Sequence, residues 1–358
     1  MTEQPAVEQN PFPRSQIPIT QAIEQYLETM RNANSDKTVR TYRTALNAFR
    51  GMLARQGIDA SQVTPQVLDV QNVDAFIAFL DDKSPATEKL YLTAVRSFYA
   101  YLEDEGLGRP NLGKIQRRIN QRTRKSAWSP EVFPREGIEK LIVYAESLGD
   151  RSTDEEVTRF KDEATIRAAR RQARLRNLRD RALILVLADT GLRVAEACSL
   201  TYGQVDALEA RFRSVRRKGY KRKGEKSGST VLVSERALAA IREYQVERKN
   251  EARPAGMKTR TVPLFMRHDP GASDALKRLS EKSAWKIVKE RAKKVLGPEA
   301  AEQIHPHSFR HYFVTVVLLE TDLETARRLA GHASTDTTAK YAEIDPEVEE
   351  RYHKIFNR

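Results

Sequence analysis

Apolar positions recur every three or four residues from Ile17 to about Gly108, and this spacing predicts helix after helix. In "ITQAIEQYLETMRN" Ile19, Ile23, Tyr26 and Leu27 share a face, and in "TVRTYRTALNAFRGMLARQG" Val39, Tyr42, Leu46, Phe49 and Leu53 do the same. "QNVDAFIAFLDD" and "ATEKLYLTAVRSFYAYLEDEG" follow, the latter closing on Gly106 as a C-cap would. A small bundle of four main helices is expected. Its basic residues, among them Arg40, Arg43, Lys89 and Arg96, are mixed with acids and by themselves read as a solvated face.

Between Pro110 and Trp128 the text becomes "PNLGKIQRRINQRTRKSAW", basic without an acid and weak in apolar periodicity, which reads as an exposed linker. A second helical region then opens with "PREGIEKLIVYAESLG", placing Ile138, Leu141 and Ile142 inward. The stretch from about Asp150 to Arg179 turns from acidic to strongly basic and reads as a surface helix leading into the buried "RALILVLADTG". Past Gly191, "RFRSVRRKG" and "STVLVS" alternate as two strands do, around the turn-prone "KGEKSG". "SERALAAIREYQVERKN", "SEKSAWKIVKERAKKVLG", "HSFRHYFVTVVLLET" and "LETARRLAGH" return to helical spacing, and Ser334 or Asp336 can cap a last helix containing Tyr341. The expected fold is mainly α: an N-terminal helical bundle, then a mostly α domain with a small antiparallel β-sheet. The boundaries expected are a flexible tail over 1–16, the bundle over 17–110, a basic linker over 111–128 and the second domain over 129–358.

Charge narrows the class of partner. The 358 residues carry 62 Lys and Arg against 49 Asp and Glu, a net +13, and such a surplus draws a protein to polyanions. No apolar stretch reaches the roughly 20 residues of a spanning helix; "ALILVLA" and "YFVTVVLL" have the length of core-helix segments. "MTEQPAVEQNPFPRSQ" has neither a basic start nor an apolar stretch, so a cytoplasmic protein without a membrane partner is expected. Cys198 is the only cysteine, which excludes an internal disulfide and any multi-cysteine zinc site, and "VAEACSL" makes it a small buried helix residue.

The densest chemistry lies in "HPHSFRH", residues 305–311, where three of six histidines surround one arginine. On a helix His307 and Arg310 share a face. A zinc site could draw on His305 or His332 as well, but the helical metalloprotease pattern needs a glutamate where Ser308 stands, and an arginine among the ligands opposes a cation. A phosphate-handling site gains from "DTGLRVAEACSL", where Arg193 opens a helix after a tight turn and can offer a planar fork to phosphoryl oxygens. Alone, Arg193 reads as a salt bridge to Glu196.

Together, "TGLR", "HPHSFRH", "LAGH" and "TTAKY" resemble the tyrosine recombinase (phage integrase) family, in a two-domain form similar to the Xer or Cre type. That family's signature is an arginine box, H-x-x-R, a glycine-histidine pair and a nucleophilic tyrosine. His307 and Arg310 fit H-x-x-R, His332 follows Arg310 by 22 residues, and Tyr341 follows His332 by nine. The resemblance implies that the bundle is a SAM-like, core-binding DNA-binding domain and that 129–358 is the catalytic domain. It implies that Arg193, Arg310 and His332 stabilise a scissile phosphate, that His307 acts as the base and that Tyr341 is the nucleophile. It also implies a lysine on a strand turn as proton donor: counting back from "VLVSERA" favours Lys223, counting forward from Arg193 favours Lys218, and Lys221 and Lys226 are neighbours. His305 and His311 are then structural, and Tyr312, His268, Tyr352 and His353 fit no motif.

The function implied is a site-specific DNA recombinase of the kind found in mobile genetic elements. It would act on double-stranded DNA sites as a homotetramer on two duplexes, without metal or other cofactor and without ATP, since a G-x-x-x-x-G-K-[ST] loop is lacking. The segment "DPEVEERYHKIFNR" can fold onto its own domain as a short helix, whereas the resemblance implies that it docks on a neighbouring protomer. Two alternatives share some of these residues: DNA relaxation of the type IB topoisomerase kind, and an inactive DNA-binding regulator. The intact set of candidate residues speaks against the regulator, and the N-terminal bundle against the topoisomerase.

Overall fold

The computed structural model describes residues 17–125, 134–149, 162–216, 228–248, 258–268 and 277–332. The chain divides into two compact units, Met1–Ser129 and Pro130–Arg358.

In the first unit the four expected helices are α1 (Ile19–Ala33), α2 (Asp36–Arg55), α3 (Val70–Phe79) and α4 (Pro85–Asp104). Ser35, Asp69 and Ser84 cap α2, α3 and α4 by accepting a backbone N–H two or three residues on, which satisfies donors the helix itself cannot. The core is built from the predicted faces, with Ile19, Ile23, Leu27, Leu46, Phe49 and Leu53 all at most 1% exposed, and Phe49 meets Phe76 edge-on at 5.2 Å.

The basic stretch expected as an exposed linker departs from that reading over 112–125. These residues form a fifth helix, α5 (Leu112–Lys125), whose Ile115 and Ile119 are buried in the bundle core. Its apolar stripe is only Leu112, Ile115 and Ile119, narrow enough to be hidden among the charges. The stripe suffices because the bundle supplies both an apolar face and partners for the charge. Arg122 donates to Glu88 at 2.9 Å and to Asp81 at 2.6 Å, and Arg118 lies 3.4 Å from Asp74. Burial of two isoleucines contributes about 3–6 kcal/mol before ordering costs, well above what the half-exposed ion pairs can add.

The second unit contains α6 (Arg135–Glu146), α7 (Glu163–Thr190), α8 (Val194–Ser199), a sheet, α9 (Glu235–Glu247), α10 (Glu281–Ala301), α11 (Pro306–Glu320) and α12 (Leu323–Ala330). The basic part of the charged stretch, from Glu163, and "RALILVLADTG" are a single helix, α7, while residues 150–161 lie outside the described residues. From Ala182 to Ala188 every side chain is buried, which makes this half the spine against which α6, α9 and α11 pack. The two expected strands are β2 (Arg211–Val215) and β3 (Ser229–Leu232), antiparallel with Phe212 opposite Val231. A bulge falls between Phe212 and Val215, where Ser214 adopts φ 55°. A third strand, β1 (Val205–Asp206), pairs with β2; two residues are too few for alternation to reveal.

Among the described residues, 258–268 form isolated bridges, Pro263 with Thr201 and Met266 with Arg278, and arginines satisfy several of their carbonyls. Arg248 donates to Pro263 and Leu264, Arg179 to Met266 and Arg176 to His268. His268 is a packing residue, as its lack of a motif implied: it is buried and shares a 2.6 Å hydrogen bond with the Tyr244 hydroxyl. Cys198 is buried in α8, which raises its thiol pKa to about 12 and leaves it inert. Among the described residues no helix is long and apolar enough to cross a membrane.

Candidate active site

The site begins where α7 ends. Gly191 closes the helix in the left-handed conformation at φ 59°, and a Cβ built on it would sit 2.4 Å from the Phe313 ring. Both the turn and the close approach of α11 therefore require glycine. Two residues later Arg193 starts α8. Its backbone N–H donates to one carboxylate oxygen of Glu196 at 3.0 Å and its Nη1 to the other at 2.9 Å. The salt bridge that Arg193 alone predicted is present, with Glu196 only 5% exposed. A guanidinium has five N–H donors, so a contact through Nη1 fixes its direction without exhausting it.

The start of α11 explains most of the histidine excess. His305 is the N-cap: its Nδ1 accepts from the Ser308 N–H at 3.3 Å, and its own N–H donates to Ser308 Oγ at 3.3 Å. Pro306 occupies the first helical turn, where the missing N–H costs nothing. This cap sets the phase of the helix, so that His307 reaches the surface and Arg310 points inward.

Arg310 is the largest fully buried side chain described, 1% exposed, and its Nη1 donates to the Gly191 carbonyl at 2.6 Å. One hydrogen bond thus ties the H-x-x-R helix to the turn carrying Arg193, across 119 residues of chain. Sequence reasoning paired Arg193 and Arg310 by motif but did not foresee the Gly191 carbonyl as the tie or Phe313 as its backstop. The only signal was a glycine placed directly between a buried helix and an arginine.

The three imidazoles of the segment form a short stack, His305 parallel to His307 at 6.3 Å and His311 edge-on to His307 at 4.6 Å. The surrounding protein, then His305, Arg310 and Arg193 in turn, disfavour a charge on His307, so its pKa lies below the ordinary histidine value. Burial, followed by His307, His305 and Arg310, pushes His311 down to about 4, so it packs behind His307 as a neutral ring. Among the described residues no three His, Cys, Asp or Glu side chains converge as a metal-ligand group. Tyr312, which fits no motif, lies partly buried against the main core.

His332 is placed by α12, which ends on Gly331 in the left-handed conformation and packs on α11 through Val314, Ala326 and Ala330. Its backbone N–H donates to the Arg327 carbonyl at 3.0 Å, its own carbonyl accepts from Arg327 Nη1 at 3.1 Å, and it is 2% exposed. Lys218, Lys221, Lys223, Lys226 and Tyr341 lie outside the described residues, as do Ser334, Asp336 and the C-terminal segment from Asp345.

The described part of the arrangement is two guanidiniums, one buried and one partly open, beside an imidazole held neutral at the surface. It is suited to holding an anionic oxygen cluster next to a proton acceptor.

Comparison with known proteins bears on the family of the chain. The phage integrase family model matches residues 155–347, more than half of the chain, and the phage integrase N-terminal SAM-like domain matches residues 23–106. The chain is 26% identical over 321 residues to tyrosine recombinase XerC of Thermodesulfovibrio yellowstonii, covering 88% of each protein. It is 27% identical over 307 residues to tyrosine recombinase XerD of Neisseria meningitidis, covering 85% of this chain and 89% of the relative. In fold it resembles the integrase of the Tn1549 transposon in complex with transposon right-end DNA, at TM-score 0.61 and 13% identity, over 94% of this chain and 99% of that one. The family match over more than half the chain is decisive: this chain belongs to the phage integrase family, the tyrosine recombinases.

Proposed function

We propose that the chain is a site-specific DNA recombinase that cuts and rejoins strands by metal-free transesterification, with Tyr341 forming a 3′-phosphotyrosyl intermediate. The observation that carries this reading is the Arg310–Gly191 hydrogen bond, which draws the H-x-x-R arginine to the turn bearing Arg193. Arg193 and Arg310 both act electrostatically on His307, which supports the reading of one shared site. Relatives support DNA as the substrate: XerC and XerD are named tyrosine recombinases, and the Tn1549 integrase was solved with transposon DNA.

In the proposed mechanism Arg193, Arg310 and His332 hold the non-bridging oxygens of the scissile phosphate, whose charge rises as phosphorus becomes five-coordinate. His307 accepts the Tyr341 hydroxyl proton as the phenolic oxygen attacks phosphorus and the 5′ oxygen leaves. A lysine of the strand turn, Lys223 or a neighbour, protonates that leaving oxygen. The tyrosyl ester retains the energy of the broken bond, so a 5′ hydroxyl from a second duplex can reverse the step without ATP. Residues 17–110 act as a DNA-clasping core-binding domain, residues 129–358 as the catalytic domain, and four chains assemble on two duplexes.

Incubation with nicked suicide duplexes in EDTA tests the reading. A covalent protein–DNA adduct whose DNA-bearing peptide contains Tyr341 is expected. Attachment at another residue, or a strict metal requirement, overturns it.

The state of His307 adds a pH dependence. A general base works in its neutral form, and a pKa below the ordinary 6.5 keeps His307 neutral throughout the neutral range. Cleavage at subsaturating DNA, which reports the free protein, is therefore expected to fall along an acid limb centred below pH 6.5. An acid limb centred above 6.5 contradicts His307 as the base.

A further inference from the structure

The arginines of α7 fall into two sets. Between Glu163 and Asp180 the helix holds six arginines, at 167, 170, 171, 174, 176 and 179, and no acid. Arg176 and Arg179 turn inward, onto the carbonyls of His268 and Met266. Arg167, Arg170, Arg171 and Arg174 are spaced i, i+3, i+4 and i+7, which puts them within an arc of about 100° on one face. All four are exposed. Arg174, the innermost, lies 3.1 Å from Glu247 and 3.6 Å from Glu243 of α9 and anchors the stripe to the domain.

The helix carries this stripe beyond the core. Burial in α7 begins at Ala173, so residues 163–172, about 15 Å of helix, contribute no buried side chain. Ten residues are too few for a stable isolated helix in water; this extension is held by its continuity with the buried half. Like charges three and four apart add a further small cost to the helix, which the pairing of Arg174 with Glu243 and Glu247 offsets at the inner end of the stripe. Arginine throughout favours an anion with planar or tetrahedral oxygens that a fork can grip.

We propose that the outer face of α7, through Arg167, Arg170 and Arg171, binds the phosphate backbone of double-stranded DNA as a contact auxiliary to the catalytic site. The proposal rests on the reading of this chain as a DNA recombinase. It commits to duplex DNA because three arginines along about one helical turn match successive backbone phosphates in charge and spacing. The contact is sequence-independent, since phosphates carry no base identity. It adds affinity and salt dependence without taking part in chemistry.

The test uses the full chain with Arg167, Arg170 and Arg171 changed together to Ala, and a second variant with all three changed to Lys. Alanine is the stronger helix former and removes the repulsion, so thermal stability is expected to stay equal or rise. Equilibrium binding to a long duplex is measured across a salt series. The alanine variant is expected to show a log Kd versus log salt slope smaller by about 2–3, since each lost phosphate contact removes about 0.9, and a loss of affinity of at least about tenfold near 0.1 M salt. The lysine variant is expected to keep most of the slope. Adduct formation on suicide substrate at saturating DNA is expected to match the unmodified protein in both variants.

An unchanged slope and affinity in the alanine variant overturns the proposal, as does an effect on self-association with DNA binding intact. A loss of adduct at saturating DNA also overturns it, because the face would then belong to the catalytic machinery. If the unmodified chain binds no duplex, the recombinase reading itself fails; if it binds and forms adduct while the slopes coincide, only the auxiliary face is wrong.

Discussion

Tyr341→Phe is expected to bind duplex DNA as well as the unmodified chain and to form no covalent adduct, a loss on the order of 10⁴-fold or more in strand cleavage. The substitution removes one oxygen and leaves the ring. Phenol ionises near pH 10, so at neutral pH the attack needs a base and a positive field. The neutral His307 and the two guanidiniums of Arg193 and Arg310 supply these in the proposed mechanism, and neither has any effect without the nucleophile. Gel-shift titration and denaturing gels on the same suicide duplex separate binding from cleavage. Adduct formation by the variant at more than a trace of the normal rate would remove Tyr341 from its assigned role.

Arg310→Ala carries the second largest expected effect, and it combines chemistry with stability. Loss of a preorganised cationic donor to the scissile phosphate is expected to slow cleavage by about 10²–10³-fold. The same change empties a fully buried site and strips the Gly191 carbonyl of its donor, which should destabilise the second unit by about 2–4 kcal/mol. Arg310→Lys restores a charge but not the planar fork that can reach Gly191 and a phosphate at once, so it is expected to recover stability more than rate. Thermal unfolding and single-turnover cleavage at a temperature where all variants are folded distinguish the two losses. An alanine variant that stays folded and cleaves within tenfold of normal would show that Arg310 is structural only.

The helices of both units were legible because each buries a broad apolar stripe, and three or four apolar positions per two turns outweigh any local charge. Helix α5 escaped for the opposite reason: two buried isoleucines and a leucine among basic residues leave the pattern to the arginines, whose acidic partners at Asp81 and Glu88 lie more than 30 positions away in sequence. The unity of α7 was hidden because its charged and buried halves look like different elements, although the backbone has no reason to break between them. At the site, the resemblance of "TGLR", "HPHSFRH" and "LAGH" to the family's motifs singled out Arg193, His307, Arg310 and His332. The roles of His305 as a cap and of the Gly191 carbonyl as a tie were not legible, because each depends on a backbone group that sequence does not display.

The joint at Gly191 also bears on how a protein of this kind can change over generations. Its left-handed turn, its contact with Phe313 and its grip on Arg310 all fall on one residue with no side chain. Trimming Phe313 would make room for a methyl group but would not relieve the backbone, and relaxing the backbone would release the arginine. No single compensating substitution therefore opens a neutral path through this position. Neutral change falls on outward surfaces such as the exposed turns of α7, while the joint itself stays outside the reach of gradual drift.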